Sequence, residues 1–456
     1  MVETHAFLYT PFKIVTLLDF MSRVLQNSWN EKRTLGEADV SQGESSRAIA
    51  TDTSKATVSQ KMVHRLLRGI TRGQLLIEDA SGSHSFGTGS GFEKSAGLQA
   101  VIRVTDMRMY GDVTTRGSIG AAESFMKGWW TSPDLVQVIR VFVANRALLT
   151  QLDSAFARLA MPFWRLAHWL RRNNEGGSKQ NIVAHYDLGN DFFKTFLDET
   201  MMYSAAVFDR PDMTLADASR AKLDRICDKL RLKPSDHVVE IGTGWGGFAV
   251  HAAGKYGCRV TTTTISEEQF KLANDRVRAA GLQDKVTIVK DDYRMLPRRG
   301  VFDKLVSIEM IEAVGARYLD QYMNVCSTLL KPDGEAVIQA ITIADQEYER
   351  ALRSVDFIQK YIFPGSFIPS VTAIIDAMTR ASDLRLVDLD DITAHYVETL
   401  RRWRAAFTAN LTAVRKLGLS EEFIRMWEFY FCYCEGGFTE RAIGDVQLHF
   451  KKPLCQ

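Results

Sequence analysis

An α/β fold built on a mostly parallel, doubly wound sheet is the fold class the sequence predicts, and three observations predict it. Strand candidates DHVVEIG, CRVTTTTI, KVTIVKDD, FDKLVSIEM and EAVIQAIT follow one another from about residue 218. Helical segments such as EEQFKLANDRVRAAG separate them, and strands that alternate with helices build parallel sheets. The first strand runs into GTGWGG, a glycine-rich turn that opens a helix at the carboxyl end of the sheet, where such folds bind ligands. A helical tail from AHYVETLRRWRAAFTANLTAVRKLG onward ends in DVQLHFKKP, which reads as an antiparallel edge strand.

At 456 residues the chain is too long for one core, so a second, smaller domain is expected. Composition is that of a globular protein, with 46% hydrophobic and 25% charged residues. A formal net charge of +2 argues against a nucleic-acid partner, and any basic surface must be local. Cys227, Cys258, Cys326, Cys432, Cys434 and Cys455 form no CxxC pair, so neither a metal site nor a disulfide framework is expected, and a reducing cytoplasm is the simplest location. The N-terminal AFLYTPFKIVTLLDF carries Lys13 and Asp19 and is too short to span a bilayer.

In chain order, residues 1–60 read as an N-terminal extension, ending in a polar Ser/Thr-rich linker over 38–60. Residues 61–150 read as a small α+β domain. There GQLLIEDASGSHSFG supplies two strands and LQAVIRVTD a third, and GSIGAAESFMKGWW begins as a turn before a helix. Residues 151–180 form an amphipathic connecting helix, with Phe156, Leu159, Phe163, Leu166 and Leu170 on one stripe and Arg158, Arg165, Arg171 and Arg172 beside it. Such a helix lies in a membrane surface or packs between domains. Pro162 interrupts the stripe and favours packing. Residues 181–456 are the catalytic domain.

The glycine turn points to a particular ligand. Glu240 ends the strand two residues before Gly242, where its carboxylate faces the ligand, and Gly242, Gly244, Gly246 and Gly247 are spaced more closely than a dinucleotide fingerprint requires. A nicotinamide site also needs an acid about 20 residues on to hold the ribose. Here that region is Thr261–Thr264, with Ser266 and Gln269 following. S-adenosylmethionine is the better candidate, since it has no pyrophosphate and its α-ammonium suits Glu240. The fold expected is therefore Rossmann-like.

With NIVAHYDLGNDFFKTFLDETMMYSAAVF upstream, and SIEMIEAVG, DFIQKYIFPGSFIPS and CEGGFTERAIGDVQLHFKKP downstream, the chain resembles the cyclopropane-fatty-acid synthase family over residues 61–456. The resemblance implies transfer of a methyl(ene) group from S-adenosylmethionine to the double bond of unsaturated acyl chains in membrane phospholipids, through a carbocation. It also implies a class I methyltransferase fold, a peripheral enzyme at the inner face of the membrane, lipid association by the 61–150 domain and pairing into a homodimer, and it raises the membrane-surface reading of the 155–172 helix above packing. It carries cofactor contacts onto Tyr203, Ser204, Gly242, Gly244, Gly246, Thr264, Gln269, Asp292, Tyr293 and Ile308, although Tyr293 and Ile308 equally suit core packing. Phe208, Tyr361, Phe363, Phe367 and Tyr430 are candidates to line an acyl tunnel that excludes water.

The family holds a bicarbonate as base, through a glutamate, a tyrosine, a histidine and a cysteine. Those positions are Glu312, Tyr396, Gln339 and Ala205 here. With two ligands changed, the expected product widens from a cyclopropane to a methyl- or methylene-branched chain. Cys434, nominated in the family, suits a structural role. Glu309 and Glu312 sit three apart at the strand-to-helix turn of SIEMIEAVG, where a carboxylate could itself act as base, but Glu309 is expected instead to cap the following helix, and His185 either orients the lid or satisfies a backbone carbonyl. A soluble small-molecule methyltransferase and a non-catalytic lipid- or cofactor-binding relative are the competing readings. Dependence on a bilayer separates the first, and absence of methyl release the second.

Overall fold

The structure is a computed structural model and describes residues 53–87, 97–148, 189–297 and 300–456. All of them belong to one compact unit, Thr53–Gln456. The amphipathic segment 155–172 and His185 lie outside the described residues.

Two sheets organise this unit. The smaller contains β1 (Gln74–Asp79), β2 (Gly82–Gly87), β3 (Gln99–Val104) and β4 (Trp130–Thr131), in the order β2-β1-β3-β4. A helix, Thr53–Leu67, precedes it, so the linker expected over 38–60 gives way to helix at Thr53, and the remainder of that linker is outside the described residues. The segment GSIG opens on a kink at Gly117 between two helical stretches rather than on a turn that starts the first helix. It lies inside Arg108–Met126, whose regular geometry breaks only at Gly117 (φ 59°, ψ −137°). Gly120 permits the close approach there, because a Cβ would meet the Asp112 carbonyl oxygen at 2.0 Å. Asp134 then caps Leu135–Ala144 by accepting from the Gln137 N–H.

The larger sheet comprises β5 (His237–Ile241), β6 (Arg259–Thr263), β7 (Val286–Val289), β8 (Phe302–Ile308), β9 (Leu330–Ile343), β10 (Arg385–Asp391) and β11 (Ile443–Lys451), ordered β10-β11-β9-β8-β5-β6-β7. The five strands β5 to β9 run parallel, while β10 and β11 pair antiparallel. The expected edge strand, β11, is interior. The edge is β10, whose exposed Val387 and Leu389 and three aspartates disguised it in sequence. Asp445, Gln447 and His449 made β11 look half-solvated, yet all three are buried because polar partners on neighbouring elements receive them.

One such partner is Glu335 on β9, 2% exposed, which accepts from His449 Nε2 at 2.8 Å, Lys304 Nζ at 2.6 Å and Arg231 Nη2 at 3.1 Å. Burial alone would raise its pKa, but these three donors hold the carboxyl well below the usual carboxylate range. A depressed folded-state pKa stabilises the fold fully above the unfolded value and loses that stabilisation as pH falls toward the folded one. Glu335→Gln is therefore expected to cost about 2 kcal/mol at neutral pH. In urea unfolding, the gap to wild type should narrow steadily below about pH 4.

Aromatic packing joins the larger sheet's helices to the smaller sheet. Phe192, Phe193 and Phe196 meet Trp427 edge-on or tilted at 4.6, 6.2 and 5.6 Å, and Phe125 meets Phe429 at 5.7 Å. The helix Glu421–Thr439 approaches Leu135–Ala144 closely at Gly436, where a Cβ would lie 2.7 Å from Ile139 Cγ2.

Candidate active site

The β5 strand delivers the chain into the glycine turn at the carboxyl edge of the large sheet. Gly242, Gly244 and Gly246 all have left-handed φ, of 97°, 51° and 81°. A side chain at Gly242 would meet Met310 Cγ at 3.1 Å and one at Gly246 would meet Ala273 Cβ at 3.2 Å, whereas Gly244 has nothing within 4 Å. The turn is thus packed at both ends and open in the middle, which leaves a cradle for a ligand. Beneath it Glu240 is buried, and burial pushes its carboxyl up to about 8. Among the described residues its Oε2 has no hydrogen-bond partner. An orphaned carboxylate oxygen of this kind fits the α-ammonium of S-adenosylmethionine, whose arrival would expel the carboxyl's proton. Glu240→Gln should weaken donor binding about tenfold and abolish the accompanying proton release, both read by calorimetry in buffers of different ionisation enthalpy.

Farther along the edge, Thr264 Oγ1 donates to Gln269 Oε1 at 2.8 Å, so two expected contact residues hold each other, and Ser266 caps the helix Glu267–Ala279. Asp292 is engaged more than the sequence indicates. Its carboxylate accepts from Arg294 Nε at 2.8 Å and Nη2 at 2.6 Å, and those bonds outweigh burial in lowering its pKa. The Tyr293 ring meets Tyr322 edge-on at 5.8 Å, and Ile308 is half-buried at the end of β8.

Above the turn, the Tyr203 hydroxyl donates to Tyr430 Oη at 3.0 Å, and its ring faces Trp403 at 5.3 Å and Phe363 at 6.2 Å. Ser204 Oγ accepts from Lys222 Nζ at 2.8 Å; that ammonium is fully buried, and burial lowers its pKa to about 8. The expected tunnel residues divide. Phe363 and Tyr430 gather around Tyr203, but Phe208 packs with Met213 and Ala218 under Arg402. Phe367 joins the core around Tyr322, and the Tyr361 hydroxyl is spent on Glu123 at 2.6 Å.

Next to this wall lies a polar cluster centred on the half-buried Glu309. Its Oε1 accepts from the Ala205 backbone N–H and from Gln339 Nε2, each at 2.8 Å, and its Oε2 accepts from the Tyr396 hydroxyl at 2.7 Å. The expected helix cap is therefore overturned: Glu309 has a left-handed φ of 47°, which turns the carboxylate inward between β8, β9 and Thr393–Ala409 rather than along the chain. Glu312, three residues on, accepts from the Ile341 N–H at 2.6 Å, and its Oε2 has no partner among the described residues. Burial, then Glu309, pushes it up to about 8.

Gln339 also donates to Asp445 Oδ2 at 3.0 Å, and burial together with Glu309 raises Asp445 well above the carboxylate range. Tyr396 stacks on Phe438 at 4.5 Å and meets Trp403 edge-on at 6.0 Å, which ties the cluster to the wall around Tyr203. Cys434 stands apart: burial raises its thiol, and among the described residues no hydrogen bond links it to the cluster. Sequence reasoning missed Lys222, Asp445 and Arg294, and it misjudged Glu309. The available signal was two glutamates four positions inclusive in an otherwise apolar strand end, SIEMIEAVG.

Comparison with known proteins is consistent with this layout. The family model for mycolic acid cyclopropane synthetase matches residues 174–448. The chain is 41% identical over 338 residues to the tuberculostearic acid methyltransferase UfaA1 of Mycobacterium tuberculosis, covering 73% of this chain and 78% of that one. It is 36% identical over 365 residues to the cyclopropane-fatty-acyl-phospholipid synthase of Escherichia coli, covering 80% and 91%. Among solved structures, the cyclopropane synthase MmaA2 from Mycobacterium tuberculosis superposes with TM-score 0.56 at 27% identity, over 60% of this chain and 98% of that one. The mycolic acid cyclopropane synthase CmaA1, complexed with SAH and CTAB, gives the same TM-score of 0.56 and the same coverage of 60% and 98%, at 30% identity.

Proposed function

Because this chain belongs to the mycolic acid cyclopropane synthetase family, whose members are S-adenosylmethionine-dependent enzymes acting on double bonds of lipid acyl chains, we propose that it methylates unsaturated chains carried on membrane phospholipids and releases them as methyl- or methylene-branched chains. The observation that carries this reading is the uncharged aromatic wall of Tyr203, Phe363 and Tyr430, backed by buried Trp403 and linked through Phe193 to Trp245 of the glycine turn. The donor supplies an electrophilic methyl group, and the chain's own residues must position it, exclude water and tolerate a cation. Glu240, Thr264 and Gln269, with Asp292 and Tyr293, are assigned to hold the donor's polar ends, and Ile308 and the lid pair Tyr203 and Ser204 to close over it. The aromatic faces can stabilise a carbocation without attacking it.

Branching is favoured over ring closure by the changed positions Ala205 and Gln339, and by identity to a relative named for tuberculostearic acid methylation. Surface binding has support in the helix Thr53–Leu67. It exposes Val58 and Met62, 60% and 54% accessible, beside exposed Lys61, Arg65 and Arg68. Apolar tips ringed by cations suit an anionic lipid surface, and the inner face of the membrane is the assigned location, with the 61–150 region as the lipid-associated part. Among the described residues no helix is long and apolar enough to cross a membrane. A homodimer paired through that region belongs to the same reading and is checked by light scattering.

Labelled S-adenosylmethionine incubated with mono-unsaturated phospholipid vesicles tests the whole. Mass spectrometry and NMR should find a branched chain. A clean cyclopropane signature would refute branching, and equal turnover of a soluble substrate without vesicles would refute the lipid-surface assignment.

A further inference from the structure

The bicarbonate that the family resemblance implies does not fit this site as it stands. Of the positions expected to hold such an anion, Gln339 and Tyr396 offer side-chain donors, and Ala205 offers only its backbone N–H. All three donate to Glu309, at 2.8, 2.7 and 2.8 Å. Their donor hydrogens are taken by a carboxylate that belongs to the chain. Glu309 reaches this position through a left-handed φ of 47°, a conformation a non-glycine residue holds only where its surroundings over-determine it. Its chain neighbour Met310 packs against Gly242, where an added Cβ would lie 3.1 Å from Met310 Cγ.

We propose that Glu309 is the catalytic base of this enzyme, a tethered carboxylate that replaces the bound bicarbonate. The proposal rests on the reading above that the reaction is methyl transfer to an olefin. In balance, a carbon–carbon bond forms between the donor methyl and one olefinic carbon. The sulfur–methyl bond breaks with its electron pair left on sulfur, and the other olefinic carbon becomes cationic. An adjacent C–H bond then supplies its electrons to quench the cation, and its proton passes to a Glu309 oxygen. Tyr396, Gln339 and the Ala205 N–H hold that carboxylate in place. Burial holds the Glu309 carboxyl above its usual range, while the bonds from Ala205 and Tyr396 and the nearby Lys222 ammonium oppose that rise. Loss of the proton from the neighbouring chain carbon leaves a methyl-branched olefin; a methylene branch forms when a hydride first shifts from the methylated carbon to the cationic one and the proton passed to Glu309 then leaves the transferred methyl.

The test compares wild type with Glu309→Gly, which removes the carboxylate and opens its cradle. Turnover of the vesicle lipid is measured in rigorously degassed, bicarbonate-free buffer and again with millimolar bicarbonate. Wild type should change less than about twofold. The variant should lose about a hundredfold or more and recover at least tenfold on adding bicarbonate or formate. A wild type that stalls without bicarbonate, or a variant that keeps its rate, overturns the proposal. Binding of ¹³C-labelled bicarbonate, followed by NMR, needs no turnover and so separates this outcome from failure of the substrate assignment. Wild type should show no bound signal and Glu309→Gly should show one. A bound signal in wild type, displaced by nothing the chain supplies, would also overturn the proposal.

Discussion

Glu309→Gln is expected to lower kcat about a thousandfold while leaving affinity for S-adenosylmethionine within about threefold, because proton removal contributes roughly 10²–10⁴ to rate and the donor's own contacts lie elsewhere. The amide nearly matches the carboxylate in shape but cannot accept a proton at neutral pH. It also sets an NH₂ against donors that now point at oxygen, from Ala205, Gln339 and Tyr396. Some loss of stability will accompany this mismatch. Glu309→Asp distinguishes the two effects. It disturbs packing comparably yet keeps a base, so it should retain about a tenth of wild-type kcat, whereas a purely structural role would make the two variants alike. Calorimetric titration with the donor and single-turnover rates on vesicles provide the two measurements.

The second large effect is expected at the glycine turn. Gly242→Val should reduce donor affinity by at least about a hundredfold. The backbone there has a φ of 97°, which a β-branched residue does not adopt, and the new Cβ would lie 3.1 Å from Met310 Cγ. Relief requires either the turn to reshape, which closes the cradle at Gly244, or Met310 to shift, which drags Glu309 with it. Gly281→Ala is the matched control. Gly281 is also left-handed, at φ 66°, with open space around its Cβ position after the helix Glu267–Ala279, so the substitution should cost about 1 kcal/mol of stability and leave affinity unchanged. Equal loss of affinity in both variants would show that the turn matters only for folding.

Much of this was readable in the chain because it is encoded locally. The alternation of β5 through β9 with helices depends on runs of a few residues, and the glycines at 242, 244 and 246 each report a nearby backbone demand that the structure bears out in three left-handed φ values. Family resemblance added Glu312, Tyr396, Gln339 and Ala205 one position at a time, and the fold brings all four close to Glu309. Other features were hidden for equally physical reasons. A polar alternation such as DVQLHF signals a half-solvated strand unless distant partners bury its polar face. The partner of Asp445 is Gln339, 106 residues away. Likewise nothing in SIEMIEAVG says which glutamate turns inward.

The sequence by itself determined the doubly wound sheet, the glycine cradle and the chemistry of its ligand, since each follows from spacing within a short stretch. Only the tertiary structure decided that Glu309, rather than a captured anion, receives the donors of Ala205, Gln339 and Tyr396. The three donors and the carboxylate come from four separate segments, and their convergence follows from how β8, β9 and the helix Thr393–Ala409 pack, which no local pattern encodes.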